Sequence, residues 1–448
     1  MTERFRITLG QMNPTAGDLT GNAALAQDVW AAGRDAGADL VALPEMFLTG
    51  QNDALLRDPG FVRETARQFE ALAKACAVGP ALAIGAPWQE KEALHNAYLI
   101  LQDGKVHQRV LKHDLRPEER VLFTPGPISG PVVVSGLRIG CPIGTDASLP
   151  DVAETLEETG AEILLVPDAA PYHRDAMDQR LNHMVARVVE TGLPLIHLNR
   201  TGGEDHAIFD GASFALNPGG RLARQLPAFA DTIAHVDLEH GAEGWRIVSG
   251  DIAPQGDAME KDYRALVEGL RDQLRKKNAR RAVLSLASDA NSALVAVAAA
   301  DAVGPENLFC ALFADIDTTP ATQANAEAFT TSLGCTLQSA DLSPIKKQIA
   351  KTLDRSTVST DSQLSDRLRG LLLQTMADTL DALPLSTASR TDLHADHSFP
   401  GEAAGLYAPA RALTDEETLA LCHWRNSNHR GWMKGPSGEV VPAVYLVN

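Results

Sequence analysis

The chain has 448 residues, of which 44% are hydrophobic and 22% charged, a composition typical of a globular protein with two or three domains. Its formal net charge of −18 argues against nucleic acids and anionic membranes as partners. The sequence contains no uninterrupted apolar run of about 18 residues, so we expect no transmembrane helix. Its cysteines are scattered and form no C-x-x-C pair, which favours a reduced, cytoplasmic protein without a disulfide framework or a metal site.

Residues 1–248 alternate short apolar runs with helical patterns. The apolar runs predict buried strands at 40–43, 81–84, 97–101, 132–134, 163–166 and 195–198. The helical patterns lie between several of these strands, at 23–37, 61–78 and 175–191. This alternation predicts a first domain of the α/β class.

A polar stretch at 249–262 is the predicted linker to a second α/β domain at 263–448. This second domain begins with a charged helix at 263–277 and a βαβ unit, whose strands are 282–286 and 308–313 and whose helix is 292–303. The weakly patterned region 342–362 is predicted to be a loop, and a helix is expected at 363–380.

Three predicted strand ends in the first domain carry charged or sulfur-containing residues. LVALPEMFLTG contains Glu45, VLKHDL contains Lys112, and GLRIGCPIGTD contains Cys141 and Gly144. Together these segments resemble the Glu, Lys and Cys strand ends of the carbon–nitrogen hydrolase (nitrilase) superfamily. The resemblance implies an α-β-β-α sandwich and a pocket in which a thiolate attacks an amide, a carboxylate transfers the proton, and an ammonium stabilises the oxyanion.

The position at which that superfamily has its cysteine nucleophile is Gly144. A glycine cannot form a thioester, and Cys141, three residues earlier on a strand, is expected to point to the opposite face as a small buried side chain. In PDAAPYHRDAMDQR, Ala170 and Ala176 match the Ser and the basic residue with which glutamine-using members of the family hold glutamine. Glu45 and Lys112 are therefore expected to form a remnant dyad in a shared pocket.

The second domain resembles ATP pyrophosphatases, whose S-G-G-[IM]-D-S loop wraps the phosphates of ATP with backbone N–H groups. In this chain the loop reads Ala287, Ser288, Asp289, Ala290, Asn291 and Ser292. Side chains replace both glycines, and the Asp289 carboxylate would repel a polyanion unless it caps the following helix. Although the family uses ATP and magnesium, these departures predict that neither is bound.

The resemblance to glutamine-dependent NAD synthetases covers the whole chain, and the family continues for many tens of residues beyond the point where this sequence stops. The departures at both sites, together with this expected truncation, favour a catalytically inactive regulatory or scaffold subunit. Such a subunit would self-associate through the first domain or join an active paralogue. The alternative is an active glutamine-dependent NAD synthase, or an amidase, with atypical site residues. A simple ligand-binding module is the third interpretation.

Overall fold

The computed structural model describes residues 3–204, 207–315, 318–353, 362–394 and 406–446. The chain divides into two compact units, Met1–Gly256 and Asp257–Asn448, and the division falls inside the stretch interpreted as a linker. None of the helices in the described ranges is long and apolar enough to cross a membrane.

The first unit contains two large sheets and a small ribbon. The seven-stranded sheet contains, in spatial order, β15 (Gly244–Ile247), β14 (Thr232–Gly241), β1 (Glu3–Gln11), β2 (Leu40–Ala42), β3 (Ala81–Glu90), β4 (Ala93–Gln102) and β5 (Lys105–Leu111). The six-stranded sheet contains β13 (Arg221–Gln225), β12 (Phe214–Asn217), β9 (Leu195–Asn199), β8 (Ile163–Asp168), β7 (Leu137–Gly140) and β6 (Val132–Val134). The ribbon pairs β10 (Thr201–Glu204) with β11 (Ala207–Asp210).

Apolar side chains that alternate along the strands pack the two sheets face to face. Ile7 and Leu9 of β1 share one buried cluster with Ile139 of β7 and with Ile163 and Leu165 of β8. Helices cover both outer faces, namely α1 (Leu19–Asp35), α2 (Asp53–Leu56) and α3 (Pro59–Ala75) along the first sheet and α4 (Pro150–Glu158) and α5 (Ala176–Thr191) along the second. The predicted α-β-β-α sandwich is confirmed.

The second unit is built on a four-stranded sheet in which all strands are parallel. Its elements are α6 (Ala258–Lys276), β16 (Arg281–Ser285), α7 (Ala290–Val303), β17 (Leu308–Ala314), α8 (Pro320–Leu333), β18 (Thr336–Asp341), α9 (Ser343–Thr352), α10 (Ser362–Leu380), β19 (Ala382–Leu385), α11 (Arg390–His394) and α12 (Asp415–Ser427). The strand order is β18-β17-β16-β19, so the winding reverses between β16 and β19. Ligands of open α/β sheets bind at the carboxyl ends of the strands beside such a reversal.

Helix α7 is enclosed on all sides. Every side chain from Ser292 to Ala302 is buried, and six of these eleven residues are alanines. The small side chains let the helix lie between the sheet and the helices α6 and α12, with which it shares the main core of this unit.

A buried ion pair connects α7 to α12 and to the segment that follows it. Arg425 donates to the Asp301 carboxylate from Nε at 2.7 Å and from Nη2 at 3.1 Å, and both side chains are fully buried. The same carboxylate accepts from the Tyr263 hydroxyl at 2.6 Å and from the backbone N–H of Gly435 at 3.0 Å. One aspartate therefore joins three parts of the second unit.

The prediction of a loop over residues 342–362 was wrong for its first half, which forms α9. Pro344 stands in the first turn of this helix, where its missing N–H does no harm. The buried Lys346 ammonium donates to Asp315 at 3.1 Å and to Ser365 at 2.9 Å, which ties α9 to the end of β17 and to α10. This long-range pairing stabilises a helix that weak local patterning did not indicate. Residues 354–361 lie outside the described part.

Candidate active site

Three strand ends of the first unit meet at one cavity. Glu45 lies just beyond β2, Lys112 directly follows β5, and Gly144 begins a short 3₁₀ turn, Gly144–Ser148, after β7. The cavity has a volume of about 140 Å³. Its lining comprises Glu45, Lys112, Arg116, Gly144, Thr145, Ser148, Asp168, Ala169, Ala170, Pro171, Arg180, His183 and Met184. The structure thus brings the two predicted charged residues together beside the position of the expected nucleophile.

Lys112 is buried between two carboxylates. Its Nζ lies 2.8 Å from Glu45 Oε1 and 2.8 Å from Glu119 Oε1. Burial acts to lower the pKa of Lys112, but these two negative charges raise it, so the ammonium is charged at neutral pH. Burial acts to raise the pKa of Glu119, and Lys112 and Arg116 bring it below its usual value. The site is therefore an ionised network with its own internal counter-charges.

Glu45 is held by neutral donors as well as by the lysine. Asn96 Nδ2 donates to its Oε1 at 2.7 Å, and the backbone N–H of Ala169 donates to its Oε2 at 3.1 Å. With only 2% of its side chain exposed, Glu45 is fixed in one orientation before any ligand arrives.

Gly144 has a φ of +51°, and a Cβ built on it would lie 2.7 Å from Glu45 Oε2. The same Cβ would lie 3.3 Å from Asp168 Oδ1 and 3.3 Å from Lys112 Nζ. The backbone of residue 144 thus faces the charged groups, but no thiol is present there. Cys141 is packed in the core between the sheets, its Sγ is 3.8 Å from the Ile139 carbonyl, and burial raises its pKa to about 12. It does not line the cavity.

Asp146 joins the loops that carry Lys112 and Gly144. Its buried carboxylate accepts from the backbone N–H groups of His113 at 3.0 Å, Asp114 at 2.6 Å and Ile143 at 3.2 Å. Burial raises the pKa of Asp146 to about 6, although these three hydrogen bonds oppose the shift. The residue positions two strand ends relative to each other without lining the cavity itself.

The two positions matched to glutamine contacts differ in placement. Ala170 lines the cavity, whereas Ala176 is buried at the start of α5 and does not. One helical turn further on, Arg180 supplies a guanidinium to the cavity wall, with Nη1 2.9 Å and Nη2 2.6 Å from the two Asp210 oxygens. The bidentate pair neutralises the charge of Arg180, so a ligand carboxylate meets no free cation at this place.

The loop that follows β16 in the second unit is closed by its own side chains. Asp289 caps α7, its Oδ1 accepting from the Ser292 N–H at 2.8 Å. The buried Ser292 hydroxyl donates to the Ala287 carbonyl at 3.1 Å, and Ser288 is exposed. One backbone N–H that could face a phosphate is therefore already bound to Asp289.

Asn291 points from this loop toward two further carboxylates. Its Nδ2 lies 3.3 Å from Asp392 Oδ2 and 3.5 Å from Asp415 Oδ1, and Ser389 Oγ lies within 3.1 Å of both carboxylates. Magnesium in nucleotide sites keeps several waters and takes one or two carboxylates together with phosphate oxygens. Asp392 and Asp415 fit that requirement, whereas the described residues contain no cluster of three or more acidic, His or Cys side chains that could hold a metal alone.

Sequence reasoning missed Glu119, Asp146, Asp168 and Arg180. Glu119 follows Lys112 by seven residues in a segment without strand or helix patterning, so nothing local indicates that the chain folds back onto the lysine. Asp146 lies in the segment GLRIGCPIGTD, two residues after Gly144, and an acidic residue at that position could have indicated its role in the site. Asp168 could have been identified in the same way, because it is an acidic residue at the end of the predicted buried strand that forms β8.

Comparison with known proteins covers both units. Residues 6–246 match the Carbon-nitrogen hydrolase family and residues 262–444 match the NAD synthase family. A glutamine-dependent NAD(+) synthetase from Rhodobacter capsulatus is 43% identical over 100% of this chain and 83% of its own length. A protein of the same description from Xanthomonas campestris is 29% identical over 98% of this chain and 81% of its own length. A solved glutamine-dependent NAD+ synthetase from Acinetobacter baumannii, in complex with ADP, matches 99% of this chain and 85% of its own with a TM-score of 0.88 and 22% identity, which supports the fold.

These findings contradict the interpretation of the chain as a catalytically inactive subunit. The Rhodobacter relative is a synthetase by description, and its similarity extends through both units. The replacements at residue 144 and at residues 287–292 affect individual side chains. They do not outweigh a sequence similarity that extends over the whole chain. The predicted resemblance is confirmed: the chain belongs to the glutamine-dependent NAD synthetase family, with a carbon–nitrogen hydrolase domain followed by an NAD synthase domain.

Proposed function

We propose that the protein is an active NAD synthetase that converts deamido-NAD to NAD by ATP-dependent amidation, with glutamine as the nitrogen donor. The observation that carries this proposal is the 43% identity, over the whole of this chain, to the glutamine-dependent NAD(+) synthetase of Rhodobacter capsulatus. The parallel sheet of the second unit supports it, because its winding reverses between β16 and β19 and nucleotides bind at the carboxyl ends of strands beside such a reversal.

In the second unit, Asp392 and Asp415 would hold a magnesium ion that accompanies ATP. When bound, that ion would neutralise phosphate charge and thereby offset the repulsion from the neighbouring Asp289. Asp289 itself keeps α7 capped, and Asn291 spans the two carboxylates through its amide. The chain's own contribution is thus a pair of carboxylates beside a helix N-terminus.

In the first unit, Gly144 favours a second candidate for the nitrogen source, which is free ammonia. The thioester route to glutamine cleavage needs a thiol beside Glu45 and Lys112, and neither Gly144 nor the core residue Cys141 supplies one. A synthetase domain that takes ammonia from solution would make NAD without that step. The two nitrogen sources are separable by experiment.

Purified protein incubated with deamido-NAD, ATP and magnesium is expected to form NAD. Glutamine and ammonium chloride should be compared as nitrogen donors, with the Rhodobacter relative as positive control and omission of ATP as the blank. If glutamine is the donor, Glu45→Gln should lower the glutamine-dependent rate by about 100-fold or more, because a general base contributes that much, and should leave the ammonium-dependent rate intact. NAD from neither donor, in an assay where the relative turns over, would contradict the proposed function.

We also propose that the protein self-associates through its first unit and works in the cytoplasm. Closed two-fold assemblies are the commonest oligomers, and the first unit has exposed apolar side chains at Val133 on the edge strand β6 and at Val189 on α5. The cysteines, all free and mostly buried, are consistent with a reducing compartment. Light scattering at micromolar concentration should give at least the mass of a dimer, and a strict monomer would refute self-association.

A further inference from the structure

Two cysteines of the second unit lie next to each other on one face of its sheet. Cys310 is the third residue of β17, and Cys335 immediately precedes β18, the neighbouring edge strand. In the parallel register of these strands Phe309 pairs with Thr336. Because side chains alternate between the two faces, the residue after Phe309 and the residue before Thr336 share the opposite face. The register therefore brings together two thiols that are 25 residues apart in sequence.

The two sulfur atoms are in contact but not bonded. Their Sγ atoms lie 3.8 Å apart, whereas a disulfide requires about 2.05 Å. Cys335 lies outside both α8 and β18, directly after Gly334, whose φ of +80° ends α8. This connection can move Cys335 toward β17 without breaking either element. A disulfide that needs such a displacement is strained, which makes it readily reducible.

The two thiols differ in exposure and in acidity. Cys310 is fully buried in the core, whereas Cys335 is partly exposed. A hydrogen bond from the Cys310 thiol lowers the pKa of Cys335, although burial acts to raise it. In contrast, burial raises the pKa of Cys76 to about 11 and those of Cys141 and Cys422 to about 12. Cys335 is therefore the sulfur that meets solvent and ionises most readily.

We propose that Cys310 and Cys335 are a redox-active dithiol, which hydrogen peroxide converts into a disulfide that fixes the edge strand β18 to β17. The Cys335 thiolate attacks one peroxide oxygen, an S–O bond forms, the O–O bond breaks, and the leaving hydroxide takes a proton to become water. The Cys310 sulfur then attacks the Cys335 sulfenic acid, so that an S–S bond forms and the S–O bond breaks. The hydroxide leaves as water with the Cys310 proton. Each sulfur loses one electron, and the peroxide gains two.

The disulfide would act on the edge of the sheet. Four of the six residues of β18 are exposed, and the strand is bonded on one side to β17. Local opening of β18 and α8 separates them from β17, and a covalent link at the amino end of β18 restricts the opened state. The link lies away from the carboxyl ends of the strands, where nucleotides bind. The inference therefore goes beyond the proposed NAD synthesis and does not rest on it.

The test treats the reduced full chain with hydrogen peroxide at neutral pH, blocks the remaining thiols, and analyses the digest by mass spectrometry. A peptide pair joined through Cys310 and Cys335 should appear and should disappear with dithiothreitol. Cys310→Ser removes the second thiol, so dimedone should trap a sulfenic acid at Cys335. Cys335→Ser should give neither product, whereas Cys422→Ala, a change at another buried cysteine of this unit, should keep the linked pair. Hydrogen exchange of α8 and β18 should slow at least about threefold after oxidation.

Peroxide treatment that leaves both thiols free, or that carries Cys335 to the sulfinic acid without a linked pair, would overturn the inference. A linked pair with unchanged hydrogen exchange in β18 would overturn the fixation of the edge strand. The unchanged chain alone decides the formation of the bond, so the result stands even if a serine variant fails to fold. Because neither ATP nor deamido-NAD is present, a chain that forms the disulfide but makes no NAD would leave this inference in place and refute the proposed function.

Discussion

Asp301→Asn is expected to destabilise the protein by about 3–5 kcal/mol, the usual cost of removing one partner from a buried ion pair. The substitution changes the shape of the side chain little, but it leaves the fully buried Arg425 guanidinium without a counter-charge. It also weakens the bonds from Tyr263 and Gly435 that depend on the carboxylate. Chemical denaturation at pH 7, followed by circular dichroism, measures the change.

Asp378→Asn on α10 provides the matched control, because that carboxylate is exposed and, within the described ranges, accepts only from the side chain of Gln374. Its effect should stay within about 0.5 kcal/mol. The double variant Asp301→Leu with Arg425→Met should lose less stability than Asp301→Asn alone, because it leaves no unpaired charge in the core. A loss below about 1 kcal/mol for Asp301→Asn would show that the pair is not buried in solution as it is in the structure.

Lys112→Met is expected to cost a similar amount, about 3–5 kcal/mol at pH 7, because it leaves Glu45 and Glu119 buried without their shared cation. The penalty should shrink at low pH. Burial acts to raise the pKa of Glu119, and the charge of Lys112 lowers it. Without the ammonium, Glu119 takes up a proton at a higher pH in the variant than in the unchanged chain, so its unpaired charge disappears as the pH falls. In the unchanged chain the pKa of Glu119 is lowered, so the stability gained from its ionised form is present above the pKa of the unfolded chain and is lost only as the pH falls through the lower folded value. The raised pKa of Lys112 lies on the alkaline side and does not affect this range.

Lys105→Met provides the comparison, since Lys105 lies exposed at the start of β5, the strand that ends before Lys112. Denaturation of both variants should be measured at pH 7 and at pH 4.5, within the range where the unchanged chain remains folded. Lys105→Met should have little effect at either pH. If the cost of Lys112→Met were the same at both pH values, repulsion between the two carboxylates would not be its cause.

The α/β class of both domains could be predicted from the sequence because it depends on periodicity. The apolar runs at 40–43, 81–84 and 163–166 identify buried strands, and helical patterns lie between them. The α-β-β-α sandwich and the shared pocket of Glu45 and Lys112 were predicted from the resemblance to the carbon–nitrogen hydrolase superfamily. In contrast, Glu119 and Asp146 lie in irregular segments. Because these segments have no periodic pattern, their path and the contacts of the two residues could not be predicted from the sequence.

The prediction of an inactive subunit failed for a different reason. It took the replacement of individual groups at both sites, such as the thiol at position 144 and the loop glycines at 288 and 289, together with the expected truncation, as evidence about the reaction of the whole chain. A missing side chain removes one chemical route, whereas the fold, the ion network around Lys112 and the enclosed helix α7 depend on many residues. The similarity to the Rhodobacter synthetase reflects that larger set.

The enclosure of α7 restricts which substitutions this region can accept. Its alanines are buried in the core, so a larger side chain at Ala296 or Ala299 could not turn toward solvent. Such a change becomes acceptable only when another residue of the same core cluster, such as Leu284 on β16 or Leu421 on α12, becomes smaller at the same time. The helix and its neighbours can therefore diverge only through paired, volume-conserving replacements, whereas exposed residues such as Asp378 can change one at a time.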